Sequence, residues 1–345
     1  MVERVAQICA AHDDERPLRI ALLDELQHLV GFDAFAWLLT DPETEVGCAP
    51  LADVPGLPLL RLPELIRLKY LTSVNRWTGL GAGAVTLQSA TRGKPSWSLA
   101  WRELLVDYGV TDVASLVFRD RFGCWGWLDL WRTGPGRHFT EAETTLLAAL
   151  TSPICDALRR CQAGTFKLDG SEGAQAGPVV LVLSPELTVR AQTAETEEYL
   201  RMLVPPDADR PPVPAGAYNV AAQLLAVEAG IDPHLPSARV HLTGGRWLTL
   251  RAARISGPPP QEQSDIAVTI ERASSTQRLD LFVRAHGLSE REAELVRHLA
   301  AGSDTRRLAQ QMYVSSHTVQ DHLKSIFAKT GARNRRTLLA RITGP

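Results

Sequence analysis

Downstream of Ser315 the chain sets out side chains suited to nucleic-acid chemistry: Ser316, His317, Gln320, Asp321 and Lys324, then Lys329, Arg333, Arg335 and Arg336. Hydroxyls, amides and imidazoles hydrogen-bond base edges in a DNA groove, while lysines and arginines contact phosphates. Val319, Leu323, Ile326 and Phe327 recur at helical spacing, so they share one apolar face and leave the polar set on the other. The basic residues gather at the C-terminal end, where phosphate contacts belong. Asp321 is ambivalent: it accepts from a cytosine amine, or it repels phosphate and makes binding selective. Residues 287–345 hold ten Lys and Arg against five Asp and Glu, so the segment is +5 in a chain of −2 and the remainder is −7. A basic module on an acidic body is the charge footprint of nucleic-acid binding.

Four short helices must position those side chains. Ser289 followed by Glu292 reads as a capping box with Leu288 as the apolar entry residue, and Gly302 stands where a left-handed stop is wanted. A second helix starts near Asp304 and buries Leu308, Ala309 and Met312. Ser315 then caps the third, with Val314 and Val319 placed as a hydrophobic staple. A minimal turn between two capped helices is helix-turn-helix geometry.

The run V-S-x-x-T-V-x-x-H-L-x-x-I-x-x-K from Val314 to Lys329, followed by G-x-x-x-R from Gly331 to Arg335, resembles the LuxR/NarL-type helix-turn-helix over about sixty residues. The resemblance implies that the helix carrying Thr318, Gln320, His322 and Lys324 lies in the major groove. It also implies that the last helix, Asn334 to Ile342, carries a dimer contact. Gln320 stands where many members have Lys or Arg, which implies fewer phosphate contacts. Thr330 replaces a common Leu, which weakens one core position.

The bulk properties fit an intracellular protein of several parts. At 345 residues two or three domains are expected, and 45% apolar with 22% charged residues is ordinary for a soluble globular chain. No run of eighteen apolar residues and no secretory pattern at the start predict a cytoplasmic protein without a membrane span. Five unpatterned cysteines are expected as free thiols, and no cofactor is implied.

Upstream, residues 1–160 form one predicted unit. It begins with a helix near 17–30 and a strand near 35–40. It ends with strands 112–119 and 123–132 around a turn at Asp120–Phe122, then a helix capped by Thr140 and Glu143 and kinked at Pro153. This arrangement resembles a GAF domain. Along the last strand, Trp125, Trp127, Asp129 and Trp131 share one face. In domains of this resemblance such a face lines an effector pocket, and three indoles with a carboxylate suit an aromatic or cationic ligand. The alternative is that these indoles fill the core. Trp97 and Trp101 read as a lid or a core stripe.

A linker is expected over 161–177. The unit 178–272 reads as two strands about Ser184-Pro185-Glu186, a helix near 194–202, an amphipathic helix 217–229, and three strands, the first two joined at Gly244-Gly245; the stretches 205–214 and 257–264 read as loops. It resembles a PAS domain. Residues 273–286 form a connecting helix with a narrow stripe of Leu279, Phe282 and Val283, able to pair in a dimer or dock on the body.

No G-x-x-x-x-G-K-[ST], G-x-S-x-G or H-E-x-x-H motif occurs, so no enzyme is expected. The fold class expected is α+β and multidomain: a GAF-like domain, a PAS-like domain and an all-α helix-turn-helix at 287–345. The function expected is transcription regulation, in which the upstream domains modulate promoter binding. Its partners would be double-stranded promoter DNA, a second copy of the chain in a homodimer, a small-molecule effector and RNA polymerase. Two alternatives stand beside it: a ligand-independent dimeric regulator, and a signalling adaptor that never touches DNA.

Overall fold

The structure is a computed structural model that describes residues 2–166, 179–203, 213–242, 246–255 and 264–344. The turn at Asp120–Phe122 organises the centre of the first sheet. Asp120 Oδ1 accepts from the N–H groups of Phe122 (2.8 Å) and Gly123 (3.2 Å) and from Trp125 Nε1 (3.0 Å). Gly123 has φ +149°, and a Cβ there would collide with the Pro42 carbonyl, so the turn admits only glycine.

The first unit carries α1 (Val2–Ala11), α2 (Glu15–Leu29), β1 (Ala34–Thr40), β2 (Gly47–Asp53), α3 (Leu62–Leu71), β3 (Gly83–Thr86), α4 (Leu87–Ala90), α5 (Leu99–Glu103), β4 (Val110–Asp120), β5 (Gly123–Thr133) and α6 (Glu141–Gly164). Its strands pair antiparallel in the order β2-β1-β5-β4-β3. The expected capping box opens α6: Thr140 and Glu143 exchange both hydrogen bonds. Leu147, Leu150, Ile154 and Leu158 then face the core, where α6 packs on β3, β4 and α1. Each such leucine contributes about 1.5–3 kcal/mol by burial.

One expectation for this helix needs correction. With Pro153 inside it, the helix runs on to Gly164, so the linker expected from 161 begins inside it. Cys161 and Phe166 are buried, which gives residues 161–166 a packing role instead. Most of the expected linker lies outside the described residues.

The second unit carries β6 (Val179–Leu183), β7 (Val189–Gln192), α7 (Thr196–Leu203), α8 (Ala215–Glu228), β8 (Ser237–Leu242), β9 (Arg246–Arg254) and β10 (Ile266–Arg272). These strands pair antiparallel in the order β7-β6-β10-β9-β8. Within each unit the strands therefore follow one order, 2-1-5-4-3. The Gly244-Gly245 turn lies outside the described residues, as does most of each proline-rich loop, but β8 and β9 pair as that turn would require.

Helix α8 departs from its expected amphipathic character. Ala217, Val220, Ala221, Ala222 and Ala226 are buried, and so are Asn219 and Gln223. The reason is that α8 is covered twice, by β9 of its own sheet and by α3 and β2 of the first unit. Its small residues permit that close approach, and a helix enclosed on several sides loses its polar face. The buried amides are used: Tyr70 Oη donates to Asn219 Oδ1 (3.0 Å), and Gln223 Nε2 donates to Asp232 Oδ1 (2.9 Å).

Charges reinforce this seam. Arg239 of β8 holds Asp41 through Nε (2.6 Å) and Nη2 (2.7 Å), with both side chains buried. His234 lies between Asp232 (2.7 Å) and Glu45 (3.5 Å), and these hydrogen bonds raise its pKa to about 9. The chain therefore has two sheets but one joined body, a feature that composition and periodicity do not report. After it come α9 (Ser275–Ala285), α10 (Glu290–Ala300), α11 (Thr305–Gln311), α12 (Ser316–Thr330) and α13 (Arg335–Thr343).

Candidate nucleic-acid interface

Each helix of the C-terminal module starts on a side-chain cap. Ser289 and Glu292 form the full capping box on α10, Asp304 caps α11, Ser315 caps α12 through the Thr318 N–H (3.1 Å), and Asn334 caps α13. Each cap is worth about 1 kcal/mol and fixes where its helix begins. Gly302 (φ +85°) and Gly331 (φ +65°) supply left-handed stops. Leu295, Val296, Leu299, Leu308, Met312, Val319, Leu323, Ile326 and Leu338 are buried between the helices.

That core turns the polar face of α12 outward. Ser316, His317, Gln320, Asp321 and Lys324 are exposed, with Thr318 and His322 half-buried beside them. Asp321 sits between His317 (3.6 Å) and Lys324 (3.4 Å), so its charge is matched within the face. Exposed pairs of this kind hold side chains only loosely and release them readily to a partner.

The basic residues divide into two groups. Arg333 and Arg336 are exposed. Lys329 and Arg335 are engaged inside the module. Lys329 Nζ donates to Glu292 Oε2 (2.6 Å), and Arg335 donates to the Thr305 hydroxyl (2.6 Å). The Glu292 side chain is buried, which would raise its pKa, but the hydrogen bonds from Lys329, Ser325 and Ser289 prevail and hold it down to about 2. Lys329 is thus a tie between α10 and α12, although spacing alone reads it as a phosphate contact. Thr330 also has a use: it is buried, its hydroxyl donates to the Ile326 carbonyl (2.8 Å) and accepts from the Ala332 N–H (3.3 Å).

The module is seated on the body through α9. Ser274 and Gln277 form a further capping box, and Arg278 donates to the carbonyls of Ile342 (3.0 Å) and Arg341 (3.1 Å) on α13. Arg284 donates to the Phe122 carbonyl (2.8 Å) in the β4–β5 turn. Leu279, Phe282 and Val283 are buried, so the apolar stripe docks on the body within one chain. One face of α13, the expected dimer helix, likewise packs on α9.

The expected effector face is filled by the protein itself. Trp125, Trp127, Asp129 and Trp131 are all buried. Trp77 stacks on Trp127 at 5.4 Å, and its Nε1 donates to Asp129 (3.0 Å). Lys69 from α3 pairs with the same carboxylate at 2.9 Å and lies over the Trp77 ring at 5.2 Å. Ser115 completes the shell at 2.6 Å. Trp131 packs in a separate cluster with Leu65, Leu68 and Leu104, and Trp125 is bound to Asp120. The reading of an indole-and-carboxylate site for a cation describes this chemistry, with Lys69 as the cation. Position 69, sixty residues away in sequence, gives no local sign of this. Trp97 is exposed, and Trp101 Nε1 donates to the Val110 carbonyl (2.8 Å). All five cysteines are buried free thiols.

Four capped helices, a minimal turn and an outward polar face on the third define a helix-turn-helix domain of the DNA-binding kind. Residues 286–341 match the family model described as "Bacterial regulatory proteins, luxR family", so this segment is a LuxR-family helix-turn-helix domain on a mixed helix-and-sheet body. No curated relative matches the chain.

Among solved structures, the chain is similar to the Vibrio cholerae VqmA dimer in the absence of target DNA (15% identity, 48% of this chain and 82% of that chain, TM-score 0.21). VqmA bound to DPO gives 15%, 48%, 85% and 0.20 for the same quantities. The sensor region of a sensor histidine kinase gives 12%, 73%, 87% and 0.19. Such low scores establish no fold shared over the whole chain. Among the described residues, no helix is long and apolar enough to cross a membrane.

Proposed function

We propose that the chain is a DNA-binding transcription regulator in which the upstream body modulates promoter binding by the helix-turn-helix. The single observation that carries this reading is the exposed face Ser316–Lys324, presented by a rigid capped scaffold in a segment of charge +5. In this reading the face enters the major groove, Gln320 and His322 address base edges, and Lys324, Arg333 and Arg336 contact phosphate. Residues 1–160 act as a GAF-like sensor and 178–272 as a PAS-like one. A homodimer sets two recognition helices one helical turn apart, roughly 34–36 Å. Docking of α9 on the body supports control over that spacing, because a change in the body then moves the reader.

The test is fluorescence anisotropy of the full chain on a duplex selected from random sequence. Replacing Lys324 and Arg336 by Glu should weaken binding on all sequences and flatten its salt dependence, by about 0.9 in log–log slope per lost phosphate contact. Unchanged affinity and slope in that variant would refute groove binding. Sedimentation that shows only monomer, free and on DNA, would refute the dimer.

A further inference from the structure

The helix-turn-helix owes its +5 to ten basic and five acidic residues, and the fold separates the basic ones by what holds them. Arg291 donates to Glu294 (2.8 Å), Arg297 lies 3.6 Å from Asp280, and Lys324 and Lys329 are matched by Asp321 and Glu292. Arg335 and Arg341 donate to the Thr305 hydroxyl and the Thr330 carbonyl. Arg306, Arg307, Arg333 and Arg336 remain. All four are exposed, and no hydrogen bond or ion pair among the described residues engages their guanidinium groups.

The fold gathers these four on one surface. Arg306 and Arg307 follow Thr305, the first residue of α11, while Arg333 and Arg336 bracket Arg335, the first residue of α13. The 2.6 Å bond from Arg335 to Thr305 ties the two starts together across 30 residues of sequence. Asp304 caps α11 through the Arg307 N–H (2.8 Å), and the cap of α13 is the neutral Asn334. Four arginines and one aspartate leave the surface at +3.

The reading face of α12 is built the other way. Asp321 and Lys324 cancel at 3.4 Å, and Ser316, Thr318 and Gln320 carry no charge. A face without net charge selects between base edges but gains little from phosphate attraction, which supplies sequence-independent affinity. Gln320 and Thr330, at the end of α12, are ten residues apart, or about 15 Å at 1.5 Å per residue. A major groove is about 12 Å wide. With the face in the groove, the arginines past the end of α12 meet the strand on its bank.

We propose that Arg306 and Arg307 of α11, with Arg333 and Arg336 beside the start of α13, form one patch for the phosphodiester backbone, and that this patch holds duplex of any sequence while α12 selects among sequences. The proposal rests on the DNA reading and deepens it, adding two residues of α11 to the interface. Arg335 is a positioning residue in this arrangement, because its guanidinium is committed to Thr305.

Fluorescence anisotropy of the full chain on two duplexes of equal length tests this, one selected from random sequence and one scrambled, across about 0.05 to 0.3 M salt. Arg306→Gln with Arg307→Gln should weaken both duplexes by the same factor, roughly 60-fold at about 0.1 M salt. It should also flatten the log–log salt slope by about 1.8, since each phosphate contact contributes about 0.9. Gln320→Ala should weaken the selected duplex at least about fivefold and leave the scrambled one and both slopes unchanged. Arg291→Gln with Arg297→Gln removes the same charge from α10 and should change the slope by less than about 0.5. The replaced side chains are all exposed, so thermal unfolding should stay close to that of the parent. If the α11 variant keeps the parent's slope, the patch is overturned and the DNA reading stands. If the α10 variant flattens the slope as much, net charge rather than this patch binds phosphate, and the proposal fails. Loss on the selected duplex alone would make Arg306 and Arg307 base readers and overturn the division. A parent chain that binds neither duplex sinks the DNA reading and the patch together.

Discussion

Besides the exposed contact of Lys324 with Asp321, two lysine–carboxylate pairs among the described residues look alike and sit in different surroundings. In the first sheet, Lys69 and Asp129 meet at 2.9 Å with side chains 6% and 1% exposed. In the helix-turn-helix, Lys329 and Glu292 meet at 2.6 Å, but the lysine is 37% exposed. The first pair is dry on both sides and shares its shell with two indoles, so it works as core. The second keeps one foot in water and joins two helices that must hold a fixed angle. Burial of the cation, more than the distance between charges, separates a pair that defines the fold from one that trims the geometry of a reader.

The largest effect should come from breaking the dry pair. Asp129→Ala leaves the Lys69 ammonium buried between the Trp77 ring and the Asn75 carbonyl without a counter-charge. Removing one partner of a buried ion pair typically costs about 3–5 kcal/mol. Urea unfolding of the full chain, followed by tryptophan fluorescence, should show that loss. Replacing both partners with apolar residues, Lys69→Met with Asp129→Leu, should recover most of it. If Asp129→Ala alone costs under 1 kcal/mol, the cluster is not sealed from water and the contrast between the pairs collapses.

The half-wet pair should respond less, and to pH. Glu292→Gln removes a charge-assisted bond to Lys329 and should cost about 1.5–3 kcal/mol, confined to the C-terminal module. Because the folded pKa is depressed from the ordinary 4.5 to about 2, the unfolded chain takes up this proton first. The contribution is therefore complete above about pH 4.5 and is lost as pH falls toward 2. Amide hydrogen exchange in α10 and α12 should speed up across that window in the parent chain. In the Gln variant it should already be fast above it and change little within it. Equal pH profiles in the two chains would assign the tie to some other group.

The two regions also differed in legibility. The caps at Ser289, Ser315 and Thr140 are local signals, four residues long, and each opens a helix where its spacing indicates. The outward face of α12 follows from a periodicity contained within the helix. The antiparallel pairing of β8 with β9 agrees with the turn signal between them, whereas the pairing of β6 with β10 at the centre of the second sheet has no local sign. What the sequence could not disclose depends on partners far along the chain. Lys69 reaches Asp129 across sixty residues, Arg239 reaches Asp41 across nearly two hundred, and Lys329 answers Glu292 from another helix. Each side chain alone reads as an exposed or ligand-facing charge. Helix α8 reads as amphipathic from its own residues, and only α3 and β2 of the first unit reveal what covers its second side.

The smallest effect tests the turn that separates α11 from α12. Tyr313 has φ +56° and is 95% exposed, so it holds a left-handed conformation with no packing to stabilise it. Its backbone is used: the Tyr313 N–H bonds the Gln310 carbonyl (3.3 Å), and the next N–H bonds Ala309 (3.0 Å). For an L-residue with a Cβ this conformation costs roughly 1–2 kcal/mol. Glycine avoids that cost but loses about 0.5–1 kcal/mol through greater freedom when unfolded. Tyr313→Gly should therefore raise the stability of the helix-turn-helix slightly, by at most about 1 kcal/mol, opposite in sign to the two pair-breaking variants. Thermal unfolding with exchange localised to α11 and α12 would read it. A clear destabilisation would mean that the ring makes a contact in the folded chain which its exposure denies. A gain in stability with a fall in duplex affinity would instead place the ring against DNA, and would explain why the turn tolerates the strain.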